Sequence, residues 1–542
     1  MHRIRSGLVL GALCAAVSCA HPRRPGSEPP PAVRHTAQWW RDAVCYEVFV
    51  RSFSDANGDG IGDLQGLTAR LDYINDGNAS TTGDLGANCI WLMPIAKSPS
   101  YHGYDVTDYY HVNPDYGTDD DFRHLMGEAH RRGIRVLVDF VPNHSSIQHP
   151  FFQAALRDPA SPYRAWYRWS ATKPDQKGPW GQEVWHRSPV RDEYYYGIFW
   201  GGMPDLNYET PVVRREMERA GVHWVTEMGA DGLRMDAVPH LVEAGSLMQH
   251  AIGTHAVLRE FAAAMRRAAP NAFTIGEAWT DSVPLLSRYY PDQLDAYFGF
   301  PVADATIDAA SRGDARHFLD VLGRTNGLLP AGRWAPFLTN HDTPRVMTKL
   351  RGNVAQARVA AMAMMTLPGT PFIYYGEELG MRGDKPDEQI RTPMQWSSVP
   401  GGGFTQGKPW EAPQPDWQTV NVAAQESDTS SLLHLYRRLI RLRLDEPALR
   451  HGDLTLARSS NGAVAAYLRR TGDATSVVVV NFGAEAVDRV AVDFTVPSCG
   501  ERKPSIGRLF GDATAGVEYS PAGVTVTNLA ARQGYVYALR CG

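Results

Sequence analysis

Short apolar runs alternate with amphipathic segments from about residue 40 to residue 443. Eight of these runs have the length and the β-branched or aromatic content of buried strands. They cover residues 43–50, 87–94, 133–142, 231–235, 272–279, 294–300, 334–340 and 370–375. Helical periodicity lies between most of them, as in the apolar face formed by Phe122, Leu125, Met126 and Ala129. Eight strands buried on both faces and joined by helices predict a parallel (β/α)₈ barrel, the TIM-barrel fold, over residues 38–443.

Two further regions break this alternation. The connection after the third predicted strand, about residues 143–207, is too long for a structureless loop and predicts an inserted subdomain. Its many Trp and Tyr residues would suit stacking on sugar rings, although for most of them a place in the insertion's own core is the favoured interpretation. Residues 444–542 change to short runs of period two, which predicts an antiparallel C-terminal β domain, a β-sandwich.

The first 20 residues have the layout of an export signal, with Arg3 and Arg5 before a short apolar run that is followed by small residues. Cys19 permits two interpretations: a residue near an ordinary cleavage site, or the lipidated cysteine of a lipoprotein. Residues 21–37 are Pro-rich and predict a disordered tether. We therefore expect an exported protein that is periplasmic, secreted or a cell-surface lipoprotein, with a lipid on Cys19 as its one membrane contact.

The net charge limits which partners are expected. With 54 basic and 59 acidic residues the formal net charge is −5, so no nucleic-acid partner is expected and a neutral or small polar ligand fits better. We expect a monomer.

The cysteines allow disulfides, because an exported chain reaches an oxidising compartment. Cys499 and Cys541 could close the C-terminal region. Cys45 and Cys89 lie in neighbouring predicted strands, and their spacing is consistent with a disulfide or with two buried thiols.

Four predicted barrel strands end in polar side chains, and the carboxyl ends of barrel strands converge on one pocket. These side chains belong to Asp139, Asn143 and His144, to Arg234, Asp236 and His240, to Glu277, and to His341 and Asp342. One acid at a strand end could simply cap the next helix. Four such ends in succession predict a shared active site.

The four segments DFVPNH, GLRMDAVPH, GEAW and FLTNHD resemble those of the α-amylase superfamily, glycoside hydrolase family 13. The resemblance covers nearly the whole chain after the tether, and the insertion and the tail match the family's domains B and C. It implies that Asp236 is the nucleophile, Glu277 the acid/base and Asp342 a stabiliser of the transition state.

The same resemblance implies a substrate-binding set around these acids. Its members are Tyr104, His144, Arg234 and His341. His144 and His341 would donate hydrogen bonds to the reacting sugar, and Tyr104 in HGYDVTDYY would stack on it. The resemblance therefore implies that α-glucans are the substrates.

The chemistry places opposite demands on the two reacting carboxyl groups. Asp236 must be ionised to attack an anomeric carbon, so Arg234, two residues earlier on the same strand face, is expected to lower its pKa. Glu277 must hold a proton near neutral pH, so negative neighbours and partial desolvation should raise its pKa. Retention of configuration further predicts about 5–5.5 Å between the two carboxyl groups.

The segment DANGDGIGD, residues 55–63, has the oxygen spacing of the first part of a calcium loop. Gly66 stands where an EF-hand needs its bidentate Glu, so the segment is not an EF-hand. It resembles a divalent-ion loop of oligo-1,6-glucosidase-like members, which implies a structural Ca²⁺. The implied ligands are Asp55, Asn57, Asp59, Asp63 and the carbonyl of Ile61.

Subgroup motifs give mixed signals. MPDLN (203–207) resembles an intermediary group between the oligo-1,6-glucosidase and neopullulanase subfamilies, whereas RTPMQW (391–396) resembles oligo-1,6-glucosidases and trehalose synthases. Ala237 resembles α-1,4-acting members, and Tyr101 stands where exo-acting members carry an Asp that closes the pocket. We therefore expect an endo-acting α-amylase on starch and maltooligosaccharides. The alternatives are an exo-acting α-glucosidase, an oligo-1,6-glucosidase, a trehalose synthase, or an inactive carbohydrate-binding or transporter-associated ectodomain.

Overall fold

The computed structural model describes residues 38–495, 504–520 and 522–541. The export-signal, tether and Cys499 predictions fall outside these residues. Among the described helices, none is long and apolar enough to cross a membrane.

Eight parallel strands form the central sheet, and each lies within one of the eight predicted runs. They are β1 (Cys45–Val48), β2 (Cys89–Leu92), β3 (Arg135–Phe140), β4 (Gly232–Met235), β5 (Phe273–Gly276), β6 (Ala296–Phe298), β7 (Trp334–Ala335) and β8 (Phe372–Tyr374). The order is β7-β6-β5-β4-β3-β2-β1-β8. A hydrogen bond of 2.9 Å from Phe372 N to Pro336 O joins β8 to the residue after β7 and brings the sheet round towards a barrel. The predicted barrel fold is confirmed.

Strand β7 is much shorter than its predicted run. It ends at Ala335 because Pro336 has no N–H to continue the ladder, and the chain then enters the loop that carries His341 and Asp342.

The helices lie mostly between the barrel strands. They are α1 (Val50–Phe53), α2 (Leu64–Ala69), α3 (Leu71–Ile74), α4 (Asp119–Arg131), α5 (Pro150–Arg157), α6 (Pro211–Thr226), α7 (Ile252–Ala268), α8 (Val283–Ser287), α9 (Phe300–Arg312), α10 (Arg316–Leu328), α11 (Val346–Lys349), α12 (Val354–Thr366), α13 (Asp387–Ile390), α14 (Val422–Glu426), α15 (Leu432–Asp445) and α16 (Pro447–His451). Helix α4 starts at a capping box between Thr118 and Asp121. Its apolar face is buried as its periodicity predicts.

Cys45 and Cys89 form a disulfide between the paired strands β1 and β2. Of the two interpretations of this cysteine pair, the disulfide is the one that the structure contains. Both residues are buried in a cluster beside Trp91 and Phe273.

The insertion between β3 and α6 has its own small sheet of three strands, Trp169–Ser170, Trp185–Arg187 and Tyr194–Tyr196. Its ends are fastened to the barrel: Leu206 N donates to Asn143 O, and Tyr208 Oη donates to Pro142 O at 2.6 Å. This places the insertion beside the carboxyl end of β3.

The C-terminal region consists of antiparallel strands. They are β9 (Asp453–Leu456), β10 (Arg458–Ser459), β11 (Val464–Thr471), β12 (Ala474–Asn481), β13 (Val487–Asp493), β14 (Pro504–Phe510), β15 (Gly516–Ser520), β16 (Gly523–Leu529) and β17 (Gln533–Cys541). Two sheets, β9-β11-β12-β17-β14 and β10-β13-β16-β15, enclose a common apolar cluster, as in a β-sandwich. Arg469 of β11 donates to Thr366 O, so one buried guanidinium group joins this region to the end of α12.

Candidate active site

The register of the central sheet brings the predicted acids together. Asp139 of β3 lies opposite Arg234 of β4. Asp236 and Glu277 directly follow β4 and β5, and each continues the ladder: Asp236 N donates to Phe140 O, and Glu277 N donates to Met235 O, both at 2.9 Å. Both carboxyl groups therefore stand at the carboxyl edge of the sheet.

Arg234 is fully buried and contacts three carboxyl groups. Its Nη1 donates to Asp139 Oδ1 at 2.9 Å and to Asp236 Oδ1 at 2.6 Å. Its Nη2 lies 2.9 Å from Glu277 Oε2. A buried cation is costly unless it is paired, and here one guanidinium holds the predicted nucleophile and the predicted acid/base side by side.

Ala237, directly after Asp236, adopts a left-handed backbone conformation with φ of 48°. This conformation is unfavourable for a residue with a Cβ and is found where the surrounding structure imposes it, often at active sites. In this conformation Ala237 N donates to Glu277 Oε2 at 3.1 Å. The backbone after the predicted nucleophile thus positions the predicted acid/base.

Glu277 has the raised pKa that a general acid needs. Burial raises its pKa to about 7, and the nearby charges of Asp236 and Asp342 act in the same direction, while Arg234 opposes them. The predicted direction for Glu277 is confirmed.

The expectation that the pKa of Asp236 is lowered is wrong. Arg234 lowers the pKa of Asp236 as expected, but burial has the larger effect, and the pKa is raised to about 6. The reason is that Asp236 is buried beside Asp139 and shares its guanidinium with two other carboxyl groups. Because the pKa of Glu277 is higher, Asp236 remains the more easily ionised of the two carboxyl groups.

Asp342 faces two cations at the other side of the site. Arg391 Nη2 donates to Asp342 Oδ1 at 2.9 Å, and His341 Nε2 lies 3.1 Å from Asp342 Oδ2. Burial opposes ionisation, but these two groups lower the pKa of Asp342 well below its usual range. Asp342 is therefore a permanent anion at neutral pH.

His341 is held between carboxylates. Its Nδ1 lies 2.6 Å from Glu47 Oε1 of β1, and its Nε2 faces both Asp342 and, at 2.5 Å, the hydroxyl of Tyr104. Burial disfavours the imidazolium, but Asp342 and Glu47 raise the pKa of His341 to about 10. His341 is thus a cation and a hydrogen-bond donor.

Tyr104 and His144 also lie at this edge of the barrel. Tyr104 Oη donates to Asp139 Oδ2 at 3.1 Å, and its ring stacks on His341 with centroids 5.4 Å apart. Burial lowers the pKa of His144 to about 3, so its ring is neutral. His144 Nε2 is buried and has no protein partner, as expected of a nitrogen that bonds to a ligand.

Sequence reasoning missed Glu47 as part of this site and used Arg391 only as part of a subgroup motif. A signal for Glu47 was present, because it is the one charged side chain in the apolar run 43–50. A buried carboxylate in a strand needs a partner, but nothing local identifies His341, which lies 294 residues further along the chain.

We expect Glu47→Gln to impair activity more strongly as pH rises. Glutamine keeps an acceptor for His341 Nδ1 but removes a charge that stabilises the imidazolium, so the pKa of His341 should fall towards its ordinary value. Relative to wild type, kcat/KM should drop about tenfold or more at pH 8 and much less at pH 6, since each pKa unit is a factor of ten. A defect of the same size at both values would mean that Glu47 serves packing alone; pH–rate profiles of both proteins measure this.

The predicted metal loop is folded around its own acidic side chains. Asp55 accepts from the N–H groups of Gly58 and Gly60 at 2.7 and 2.8 Å, and Asp63 accepts from Ala56 N at 3.0 Å. Asp59 is exposed, and its carboxylate accepts a hydrogen bond from Ile61 N at 2.8 Å.

The loop's chemistry fits a hard cation. In the described part of the chain its carboxylates are surrounded by neutral donors, namely backbone N–H groups and the Thr405 hydroxyl, and an oxygen-only donor set suits Ca²⁺. Across residues 38–495, 504–520 and 522–541, no three His, Cys, Asp or Glu side chains converge as a metal-binding group. The side chains of Asp55, Asp59 and Asp63 therefore do not form one ligand set as they are placed, and an ion would have to draw them together with the oxygens of Asn57 and Ile61.

Two buried carboxyl groups, one more easily ionised than the other, at the carboxyl end of a (β/α)₈ barrel are what a glycoside hydrolase site requires. A family profile described as the alpha-amylase catalytic domain matches residues 47–452. The chain therefore belongs to the α-amylase family of glycoside hydrolases, which act on O-glycosyl bonds.

Individual relatives agree with this placement. Alpha-amylase 3 of Dictyoglomus thermophilum is 36% identical over 449 residues, which is 82% of this chain and 85% of the relative. The trehalose synthase/amylase of Mycolicibacterium smegmatis is 34% identical, with 80% of each chain covered. The crystal structure of an alpha-amylase from H. orenii has a TM-score of 0.82 at 38% identity and covers 92% of this chain and 99% of its own.

Proposed function

We propose that the protein is an endo-acting α-amylase that hydrolyses α-1,4-glucosidic bonds of starch and maltooligosaccharides with retention of configuration. The observation that carries this proposal is the joint contact of Asp236 and Glu277 with the single guanidinium of Arg234. It places a carboxylate and a carboxylic acid where they can act together on one glycosidic bond.

In the proposed mechanism Asp236 attacks the anomeric carbon while Glu277 gives its proton to the departing glycosidic oxygen. Glu277, now ionised, then takes a proton from water, and the resulting hydroxide releases the sugar from Asp236. Asp342 and the His341 cation would hold hydroxyl groups of the same glucosyl unit as positive charge develops on its ring. Retention of these groups also argues against an inactive ectodomain.

The endo mode is supported by two aromatic side chains, Tyr101 and Trp279, that lie near residues of the site. Tyr101 stacks on Trp410 with centroids 5.3 Å apart, and the guanidinium of Arg391 lies 5.9 Å from the Tyr101 ring. Trp279, two residues after Glu277, is 47% exposed and stacks on Phe300. The exposed ring of Trp279 is free to stack on a sugar unit beyond the reacting one, which suits a longer chain. We also propose that the protein belongs to the intermediary group that its MPDLN motif resembles.

Products from maltoheptaose test the proposal. A mixture of short maltooligosaccharides that is first released as the α-anomer is expected, as followed by chromatography and by ¹H NMR of the anomeric proton. Glucose as the sole early product would instead indicate an exo-acting α-glucosidase. Trehalose formed from maltose would indicate a trehalose synthase, the rival favoured by the similarity to the Mycolicibacterium enzyme. Initial release of the β-anomer would reject the double displacement.

We also propose that the loop of residues 55–63 binds a structural Ca²⁺. The ligands would be the side chains of Asp55, Asn57, Asp59 and Asp63 and the carbonyl of Ile61. The neutral surroundings of its acidic side chains support this, since their hydrogen-bond donors are backbone N–H groups and a hydroxyl and leave the negative charge available to a cation.

Chelation should therefore lower the thermal midpoint. We expect EDTA to reduce it by several degrees and added Ca²⁺ to restore it, because a ligand that binds the folded state alone stabilises that state. In Asp59→Asn, which loses one ligand charge at an exposed position, the response to EDTA should be much smaller. Asp488→Asn, a change at an exposed residue outside the loop, is the control and should respond like wild type. Equal responses of all three proteins would contradict the proposed site.

We further propose that the protein is exported and acts as a monomer, with Cys19 as a lipid-attachment site in the lipoprotein form. The Cys45–Cys89 disulfide supports an oxidising compartment.

A further inference from the structure

Trp91 of β2 lies against the charged groups of the active site, and no step of the proposed mechanism uses it. The side chain is buried, with 1% of its surface exposed. Its indole N–H donates to Asp139 Oδ2 at 3.2 Å. The guanidinium carbon of Arg234 lies 4.9 Å from the centre of its ring, and the ring of His341 meets it edge to face at 5.6 Å. Trp91 therefore contacts one anion and two cations of the site at once.

Three carboxyl groups compete for protons around Arg234. Asp139, Asp236 and Glu277 all lie against its guanidinium. The proposed mechanism needs a proton on Glu277 and the other two groups ionised. Burial raises the pKa of Asp139 to about 6, and that of Glu277 to about 7. The proton affinities of these two groups therefore differ by only about tenfold, so a modest change at Asp139 would redistribute the proton.

The hydrogen bonds to Asp139 favour its ionised form. Trp91 Nε1 and Tyr104 Oη both donate to Oδ2, and Arg234 Nη1 donates to Oδ1. An indole N–H can only donate, so it stabilises a carboxylate and offers no acceptor to a carboxylic acid. The charged and titratable groups that face Asp139 are Tyr104, Arg234, Asp236, Glu277 and His341.

Glu277 is surrounded differently. In the part of the chain that the structure describes, its contacts with Ala237 N and Arg234 Nη2 are both made to Oε2. No protein donor is bonded to its Oε1 among these residues, so this oxygen is available to carry a proton. The donors around the two carboxyl groups therefore keep the proton away from Asp139 and allow it on Glu277.

We propose that Trp91 is a positioning residue that keeps the proton of the active site on Glu277 by donating its N–H to Asp139. This role rests on the proposed function, because the proton concerned is the one that Glu277 gives to the glycosidic oxygen. The contacts of the ring with the cations Arg234 and His341 hold the indole in place for this bond.

The size of the effect follows from the strength of the bond. Loss of a hydrogen bond to a charged group should raise the pKa of Asp139 by about one to two units. Asp139 would then bind the proton as well as Glu277 does, or better. The fraction of molecules with Glu277 protonated and Asp139 ionised should fall about two- to tenfold.

The test measures single-turnover formation of the glycosyl-enzyme at a pH between the two pKa values, with maltoheptaose and with α-maltosyl fluoride. Trp91→Phe should lower the maltoheptaose rate about two- to tenfold and the fluoride rate much less, because fluoride leaves without a proton. KM for maltoheptaose should stay near that of wild type, since Trp91 is buried. Trp334→Phe is the matched control. Trp334 of β7 is as deeply buried and, within the described residues, makes no hydrogen bond to the three carboxyl groups, so the ratio of the two rates should be that of wild type.

Two further variants separate proton placement from packing. An amide cannot take up the proton, so Asp139→Asn added to Trp91→Phe should return the ratio of the two rates to that of Asp139→Asn alone. Replacement of Trp91 by benzothienylalanine keeps the two fused rings and exchanges only the N–H for sulfur. This protein should show the selective loss on maltoheptaose even where Trp91→Phe does not fold, and thermal midpoints check the folding of each variant.

The outcomes distinguish this inference from the function on which it rests. A wild type that cleaves neither maltoheptaose nor α-maltosyl fluoride would reject the proposed function. With an active wild type, equal rate losses on the two substrates, or no loss, in the benzothienylalanine protein would overturn the role of Trp91 alone. A selective loss that persists after the addition of Asp139→Asn would also overturn it.

Discussion

Asp236→Asn is expected to lower kcat/KM for maltooligosaccharides by about 10⁴-fold or more. The substitution preserves size and can still accept from Arg234, but an amide oxygen is a poor nucleophile and cannot form the glycosyl-enzyme ester. Losses of this order follow the removal of a nucleophile in other hydrolases.

The same substitution should leave the protein folded. Arg234 keeps two carboxyl partners, Asp139 and Glu277, so the guanidinium is not left unpaired. The measurement is initial-rate kinetics together with the thermal midpoint, and Asp236→Ala serves as the control against slow deamidation of Asn back to Asp. Retention of more than a few per cent of wild-type activity in a folded Asp236→Ala protein would reject Asp236 as the nucleophile.

Glu277→Gln is expected to show a loss that depends on the leaving group. With maltoheptaose the departing oxygen needs a proton, and removal of a general acid costs about 10²–10⁴ in rate. With α-maltosyl fluoride the departing fluoride needs no such help, so the defect in forming the glycosyl-enzyme should be far smaller. Single-turnover kinetics on both substrates measure the difference. Equal losses on the two would show that Glu277 is not the proton donor.

The same pair determines the pH profile of the wild type. Activity requires Asp236 ionised, so it should fall as pH drops through about 6, the raised pKa of this group. It also requires Glu277 protonated, so it should fall as pH rises through about 7. Because the two groups interact, the limits of this narrow bell belong to the pair. In Glu277→Gln acting on α-maltosyl fluoride the alkaline limit should disappear, and its persistence would assign that limit to another group.

Most of the fold follows from local pattern. Eight apolar runs separated by helical periodicity were enough to predict the barrel, because a strand buried on both faces and an amphipathic helix each leave their period in consecutive residues. The acids Asp236 and Glu277 were identifiable for a related reason: each directly follows its strand, so strand order alone predicts that they share an edge.

Other features depend on residues far apart in the chain. The bond between Glu47 and His341 and the choice of a disulfide for Cys45 and Cys89 could not be read from neighbouring residues. Each depends on which segments pack together and how much water they exclude.

The sequence by itself determined the barrel, the carboxyl-end cluster of acids and the family. Only the tertiary structure decided the charge balance around Asp236, whose pKa is raised although Arg234 lies beside it. The physical reason is that a strand position predicts a neighbour, whereas desolvation and the sharing of one guanidinium among three carboxyl groups are properties of the whole packed site.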